Sequence, residues 1–189
     1  MKSYLIKNWK VYLLLPIFLL LSLFLPWAPG GETWGYWAFS RITLESGLFV
    51  ISDRSPLYTL YLIPFQLLEY PLSITLEYLI TTLIVLISIF IFSKGFVEKK
   101  WSILICFLWL PFIQVSSPPV QKLALACSLF AMILRKNGNR NNLSLSYTLL
   151  FMAYMFRSTY IILLVLFIFL DSYLFYWKNN KLSLLKKLT

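Results

Sequence analysis

The sequence predicts an all-α membrane protein, a polytopic bundle of about six transmembrane helices that forms a single domain over residues 1–189. Composition is the first reason, since 60% of the 189 residues are hydrophobic and 13% are charged, whereas about 25% of a soluble domain is charged. The second reason is the mean hydropathy of +0.77. The third is a series of apolar runs that approach or reach the roughly 17–25 residues of a membrane-spanning helix.

The first predicted span covers about residues 11–27 and follows Lys2, Lys7 and Lys10. Such a start also suits a signal peptide, but no small-residue cleavage site follows at 25–29, so we expect an uncleaved helix. The other spans are predicted at about residues 73–93, 101–115, 119–135, 143–156 and 158–177.

The last two spans are predicted to separate at Arg157, although no glycine or proline marks a turn there. A single helix over residues 143–177 would be about 50 Å long, which exceeds the ~30 Å hydrocarbon core of a bilayer. Two spans with Arg157 at the outer boundary therefore fit better.

The apolar segment 57–70 decides the topology. It is short, and Pro64 is expected to interrupt its helix after about residue 63. If the segment lies at the membrane interface without crossing, thirteen of the 17 Lys and Arg residues fall on one side and four on the other. Those four are Arg41, Arg54, Lys122 and Arg157. Because cytoplasmic loops are enriched in Lys and Arg, we expect both termini in the cytoplasm and these four residues outside.

The first outer loop, about residues 28–72, is predicted to contain amphipathic juxtamembrane helices. Residues 33–46 are expected to form a helix that ends at Gly47, a residue suited to a left-handed C-terminal cap. Ser55 and Pro56 suit the N-cap and first position of a second helix. The aromatic side chains of both helices favour the membrane interface.

The residue inventory excludes several kinds of chemistry. The chain has no histidine, which excludes imidazole metal sites and Ser-His or Cys-His catalysis. Cys106 and Cys127 lie in apolar runs and suit small apolar fillers. The net charge of +10 is expected from cytoplasmic loops and does not indicate nucleic-acid binding.

Four of the seven acidic residues fall in the first outer loop: Glu32, Glu45, Asp53 and Glu69. Charged groups at a membrane boundary are costly unless they have a function or reach water, so we place the functional site in this loop. Arg41 and Glu45, four residues apart on the predicted helix, instead suit a structural ion pair.

Two further acids lie inside predicted spans. Asp171 falls in the cytoplasmic half of the sixth span, where we expect it to pair structurally or to face water. Glu77 falls in the outer half of the second span, and its role is left open.

Several features occur in a recognisable order along the chain. Glu32 follows the first span, Ala38–Gly47 forms a helix that ends in Glu-x-Gly, and Asp53–Tyr58 is a charged stretch that leads into Pro-Leu-Tyr. A basic residue, Arg157, follows the fifth span. This order resembles the N-terminal part of the C-fold membrane glycosyltransferases, closest to the branch of protein O-mannosyltransferases and lipid A aminoarabinose transferases. Gly31 replaces the first acid of that family's Asp-Glu pair.

The resemblance implies transfer of a sugar from a polyprenyl-phosphate donor to an acceptor outside the cytoplasm. Glu32 would be the base, while Arg54, Arg157 and, more weakly, Lys122 would bind the phosphate. Asp53 would bind the acceptor or orient Arg54. Structural alternatives stand beside these roles: Glu32 suits a helix N-terminus, Arg54 suits an ion pair with Asp53, and Arg157 suits a helix-end anchor.

The implied partners are the lipid donor and the bilayer, with an unidentified acceptor and no nucleic acid. The site would face outward from the plasma membrane. Gly31 replaces one acid of the family pair, and the loop 114–121 contains no acid. Because both departures remove acids that would support a metal-assisted mechanism, we expect no cofactor, and a divalent metal is the alternative. Trp34 and Trp37 are candidates for contact with a sugar or isoprenoid.

The chain is short for this family, so we expect an N-terminal part or a fragment. A non-catalytic relative or assembly partner is the rival interpretation.

Overall fold

A computed structural model describes residues 31–48, 55–116, 119–136 and 140–188. The secondary structure within these ranges is helical throughout, which confirms the all-α prediction. The elements are α1 (Gly31–Ser46), α2 (Pro56–Gln66), α3 (Leu72–Lys94), α4 (Lys99–Ser116), α5 (Pro119–Lys136), α6 (Arg140–Phe156), the 3₁₀ helix η1 (Ser158–Tyr160) and α7 (Ile161–Leu188).

Two stretches of the described residues are long and apolar enough to cross a membrane. They are Leu72–Lys94, with a mean hydropathy of 2.3, and Ser158–Tyr176, with 2.0, and they coincide with the predicted second and sixth spans. Helices α4, α5 and α6 lie where the third to fifth spans were predicted, but they do not reach the same combination of length and hydropathy. The predicted first span, 11–27, lies outside the described residues, so the count of six remains a prediction.

The two helices predicted in the first outer loop both form, with boundaries at their predicted capping residues. Helix α1 ends before Gly47, whose φ of +67° is left-handed and whose amide donates to the carbonyl of Thr43. The Ser55 hydroxyl accepts from the backbone N–H of Tyr58 and caps α2. Gly47 has no Cβ and therefore avoids the steric clash of a left-handed conformation. The Ser55 hydroxyl satisfies a backbone N–H of α2 that would otherwise have no partner.

The predicted interruption at Pro64 is wrong, because α2 continues through it to Gln66. Proline removes one backbone donor, but here it stands in the last turn, where little helix remains to be lost. Tertiary contacts hold that turn: Phe65 is buried, and the Gln66 side-chain amide donates a 2.8 Å hydrogen bond to the carbonyl of Trp37.

Neighbouring helices pack side by side. Helix α3 contacts α4 and α5, α5 contacts α6, and α6 contacts α7. Helices α1 and α2 pack on each other, and α2 also reaches α3 and α6. One buried core, which we call the convergent end, joins α1 and α2 to the first turns of α3 and α5 and the last turn of α6. Its residues are Tyr36, Trp37, Tyr58, Leu62, Phe65, Ile74, Val120, Leu123, Ala124, Ala153 and Phe156.

A second core lies farther along α3 and joins it to α4 and α5. Its residues are Val85, Leu86, Ile89, Cys106, Leu110 and Ala126. The thiol of Cys106 is buried there as an apolar filler, as predicted. Beyond this core lies the opposite end of the bundle, which we call the basic end. Its basic residues are Lys94, Lys99, Lys100, Arg135, Lys136 and Arg140.

The predicted break at Arg157 is present. Its backbone is extended, with φ −148° and ψ 117°, between α6 and η1. Farther along α7, Asp171 pairs with Arg135 and accepts a hydrogen bond from Tyr147, so of the two expected roles, structural pairing or contact with water, the structure shows the pairing. This contact attaches α7 to the bundle, although the apolar stretch of α7 has no buried residue within the described structure.

Candidate functional site

Glu32 lies in the first turn of α1, one helical turn before Tyr36. The edge of the Tyr36 ring packs on the Tyr58 ring with 4.9 Å between centroids. The Tyr36 hydroxyl also accepts a 3.3 Å hydrogen bond from the backbone N–H of Ser55. The candidate base therefore stands on a helix whose adjacent turn belongs to the convergent end.

Asp53 and Arg54 lie outside the described residues, and the next residue, Ser55, is the N-cap of α2. Its hydroxyl donates a 2.6 Å hydrogen bond to the carbonyl of Met155 in the last turn of α6. Met155 is two residues before Arg157. The sequence neighbours of Arg54 and of Arg157, which are about a hundred residues apart in the chain, are thus joined directly.

Lys122, the weakest of the predicted phosphate ligands, lies at the convergent end, inside the bundle. It occupies the first turn of α5 and is 2% exposed. Its ammonium lies 4.7 Å from the centroid of the Tyr78 ring and makes no hydrogen bond to the described residues. Contact with an aromatic face partly compensates a buried cation.

Glu77 is the residue whose role the sequence left open, and the structure places it at the centre of the polar interior. Its side chain is fully buried. One carboxylate oxygen, Oε1, accepts hydrogen bonds from the Tyr58 hydroxyl at 3.1 Å and the Thr81 hydroxyl at 2.9 Å. Tyr61 extends the network through a 2.9 Å contact with Thr81. The signal that points to such a residue is an acid inside an apolar helix.

The second oxygen of Glu77, Oε2, has no hydrogen-bond partner among the described residues, and neither has the Lys122 ammonium. An isolated charge in a low-dielectric interior is strongly unfavourable, and the opposite charge of each group offsets part of that cost for the other. Burial and the neighbouring Glu77 carboxylate raise the pKa of Tyr58 well above its ordinary value. The phenol therefore remains a neutral hydrogen-bond donor.

Asp53 lies outside the described residues, and the other three acids of the predicted first loop, Glu32, Glu45 and Glu69, do not all lie close together. Glu32 and Glu45 stand thirteen residues apart on α1, which is about 20 Å along the helix. Glu45 and Glu69 line a cleft of about 580 Å³ between α1, α2 and the start of α3. Within it, Arg41 and Glu45 form an exposed 2.8 Å ion pair, as predicted. That carboxylate raises the pKa of Arg41.

The two tryptophans singled out in the sequence behave differently. Trp34 is about half exposed at the cleft and lies 6.4 Å from Tyr70 between ring centroids. Trp37 is buried in the convergent end. Of the two, Trp34 offers a ring face to a ligand. Among the side chains that the structure describes, no group of three acids or cysteines is placed to hold a metal ion.

Comparison with known proteins adds no identification. No protein-family model, curated protein or solved structure matches this chain.

Proposed function

We propose that this chain is a six-span membrane glycosyltransferase, or the N-terminal part of one, which moves a sugar from a polyprenyl-phosphate donor to an acceptor outside the cytoplasm. The alternating direction of its helices supports the topology. Helices α3 and α5 both run from the convergent end to the basic end, where the Lys136 ammonium donates a 2.6 Å hydrogen bond to the carbonyl of Gly95. The positive-inside rule assigns the basic end to the cytoplasm and the convergent end to the outer face.

The hydrogen bond between the Ser55 hydroxyl and the carbonyl of Met155 is the observation that carries the proposal. It joins Ser55, the residue after Arg54 in the sequence, to Met155, two residues before Arg157. Two guanidinium groups near one another suit the phosphate of a lipid donor, because arginine binds phosphate oxygens through charge-assisted hydrogen bonds. The bond from Ser55 to Tyr36 adds the helix of Glu32 to the same neighbourhood.

The reaction is a single displacement. The Glu32 carboxylate takes the proton of the acceptor hydroxyl while the acceptor oxygen forms a bond to the anomeric carbon. The bond from that carbon to the phosphate oxygen breaks, and its electron pair leaves with the polyprenyl phosphate. Arg54 and Arg157 stabilise the charge of this leaving group. The anomeric configuration is inverted.

Lys122 and Asp53 have supporting roles in this proposal. The Lys122 ammonium, buried behind Tyr78 and offset by the Glu77 carboxylate, helps to hold α5 against α3 beneath the site and does not bind the phosphate at an open surface. Asp53 binds the acceptor or orients Arg54, and both roles remain open.

Helix α7 favours a second candidate, a non-catalytic membrane protein that assembles with a partner. Its apolar stretch Ser158–Tyr176 has no residue buried within the described structure. Such a helix suits contact with another membrane protein as well as with lipid. Gly31, in place of one acid of the family pair, fits this candidate too.

An assay of radiolabelled sugar transfer from a panel of polyprenyl-phosphate sugars distinguishes the glycosyltransferase from the non-catalytic assembly partner. Membranes that contain the full chain are compared with membranes that contain Glu32→Gln or the control Glu98→Gln. Glu98 is an exposed acid at the basic end, paired with Lys100. An enzyme should lose roughly 10²–10⁴-fold in rate in Glu32→Gln and keep its rate in Glu98→Gln. Equal transfer by wild type and Glu32→Gln would contradict the assignment of the base. Absence of transfer by a stably inserted wild type would favour the assembly partner.

A further inference from the structure

A cavity of about 640 Å³ opens at the basic end between α3, α5 and α7. Its apolar wall includes Phe92 and Phe96 on one side and Met132 and Phe167 on the other. Two cations, Arg135 and Lys136, complete the lining. A cavity that is apolar along its length and cationic at its rim matches an amphiphile with a negative head.

Lys136 is held in place at the rim. Its ammonium donates to the carbonyl of Gly95 at 2.6 Å and lies 4.9 Å from the centroid of the Phe96 ring. An ammonium has three N–H donors, so two remain for a ligand. Among the described residues no carboxylate lies within ion-pair distance of this group.

The charge of the rim favours a ligand with one negative charge. The carboxylate of Asp171 neutralises Arg135, which leaves the single positive charge of Lys136. Arg135 adds a flat guanidinium surface that already lies against the Phe167 ring, 4.6 Å from its centroid. A phosphodiester has one negative charge, and the adjacent apolar wall suits acyl chains.

We propose that this cavity binds an anionic glycerophospholipid, with the phosphodiester at Lys136 and the acyl chains along α3 and α5. Basic pockets between transmembrane helices on the cytoplasmic side are typical sites for such headgroups. A zwitterionic lipid is disfavoured because its quaternary ammonium would approach the uncompensated charge of Lys136. The inference uses the membrane location in the proposed function but not sugar transfer, so either can fail without the other.

Native mass spectrometry of the purified full chain in detergent tests the proposal. The chain is titrated with phosphatidylglycerol, phosphatidylcholine or inorganic phosphate. The variants are Lys136→Gln, the charge-preserving Lys136→Arg and the control Lys100→Gln. Lys100 is a largely exposed lysine at the same end whose ammonium is paired with Glu98 at 3.2 Å.

Phosphatidylglycerol should bind at least fivefold more tightly than phosphatidylcholine. Lys136→Gln should weaken that binding roughly three- to tenfold, as expected for one cation near a lipid surface, while Lys136→Arg should preserve it and Lys100→Gln should change it less than twofold. Equal affinity for the two lipids, or undiminished binding in Lys136→Gln, would overturn the proposal. Displacement of the lipid by millimolar inorganic phosphate would also overturn it and indicate a site for free phosphate.

Discussion

The Tyr58 hydroxyl donates a 3.1 Å hydrogen bond to the Glu77 carboxylate and thereby joins α2 to α3 inside the bundle. Both side chains are fully buried. The bond couples α2 to the longest apolar helix of the core. Glu77 is followed in the sequence by Tyr78, whose ring faces the Lys122 ammonium. Helices α2, α3 and α5 therefore depend on one polar network at the convergent end.

Tyr58→Phe should destabilise the protein by about 1–3 kcal/mol, because the carboxylate loses one of its two donors without access to water. Thermal unfolding of the purified chain in detergent measures this loss. Tyr70→Phe is the matched control, since Tyr70 is 72% exposed and should tolerate the change. Equal melting temperatures for the two variants would show that the buried bond contributes nothing.

Removing the charge of Glu77 should expose the cost of burying Lys122. Glu77→Gln keeps a hydrogen-bond acceptor for Tyr58 but leaves the buried ammonium without an opposite charge among the described residues. A second substitution, Lys122→Met, should then restore part of the lost stability, because it replaces the isolated cation with an apolar side chain of similar length. The double-mutant cycle should give a coupling of about 1–3 kcal/mol.

Additive effects in that cycle would mean that Glu77 and Lys122 do not interact. The unfolding midpoints of wild type, the two single variants and the double variant are sufficient to decide this, provided that all four insert and purify alike.

Ser55→Ala removes two contacts at once, the cap of α2 and the hydrogen bond to the carbonyl of Met155. The stability loss should be about 1–2 kcal/mol, typical of a lost N-cap. If Arg54 and Arg157 act together on the phosphate, sugar transfer by the folded variant should fall as well. Ser55→Thr keeps the hydroxyl and should retain more of both.

The control for this effect is Ser46→Ala on α1. Its hydroxyl donates to the carbonyl of Ile42 at an exposed position. Normal transfer by a folded Ser55→Ala would contradict the proposed pairing of the two arginine segments.

The boundaries of most helices could be predicted because they depend on local chemistry. Gly47, Ser55 and the length limit on a span each predict a boundary that the structure confirms. Pro64 shows where local chemistry is insufficient to predict a boundary. Proline weakens the last turn of α2, but the hydrogen bond from the Gln66 side chain to the carbonyl of Trp37, 29 residues away, stabilises that turn.

The site was harder to predict because its polar contacts are long-range. Glu77 meets Tyr58 from another helix, and Ser55 meets Met155 a hundred residues later. Glu32 and Glu45 fall in one predicted loop of the sequence, but they lie far apart in the structure because thirteen residues of helix α1 separate them.

The left-handed residue that ends α1 gives a last test of how this end of the chain is built. Gly47→Ala should cost about 1 kcal/mol, because φ of +67° brings Cβ toward the backbone. No other atom lies within 4 Å of the added carbon, so the penalty is conformational. Gly47→Asn should lose less, since asparagine tolerates this region better. Thermal unfolding should rank wild type as most stable, Gly47→Asn next and Gly47→Ala last. A Gly47→Ala variant as stable as wild type would mean that the end of α1 does not require a left-handed residue.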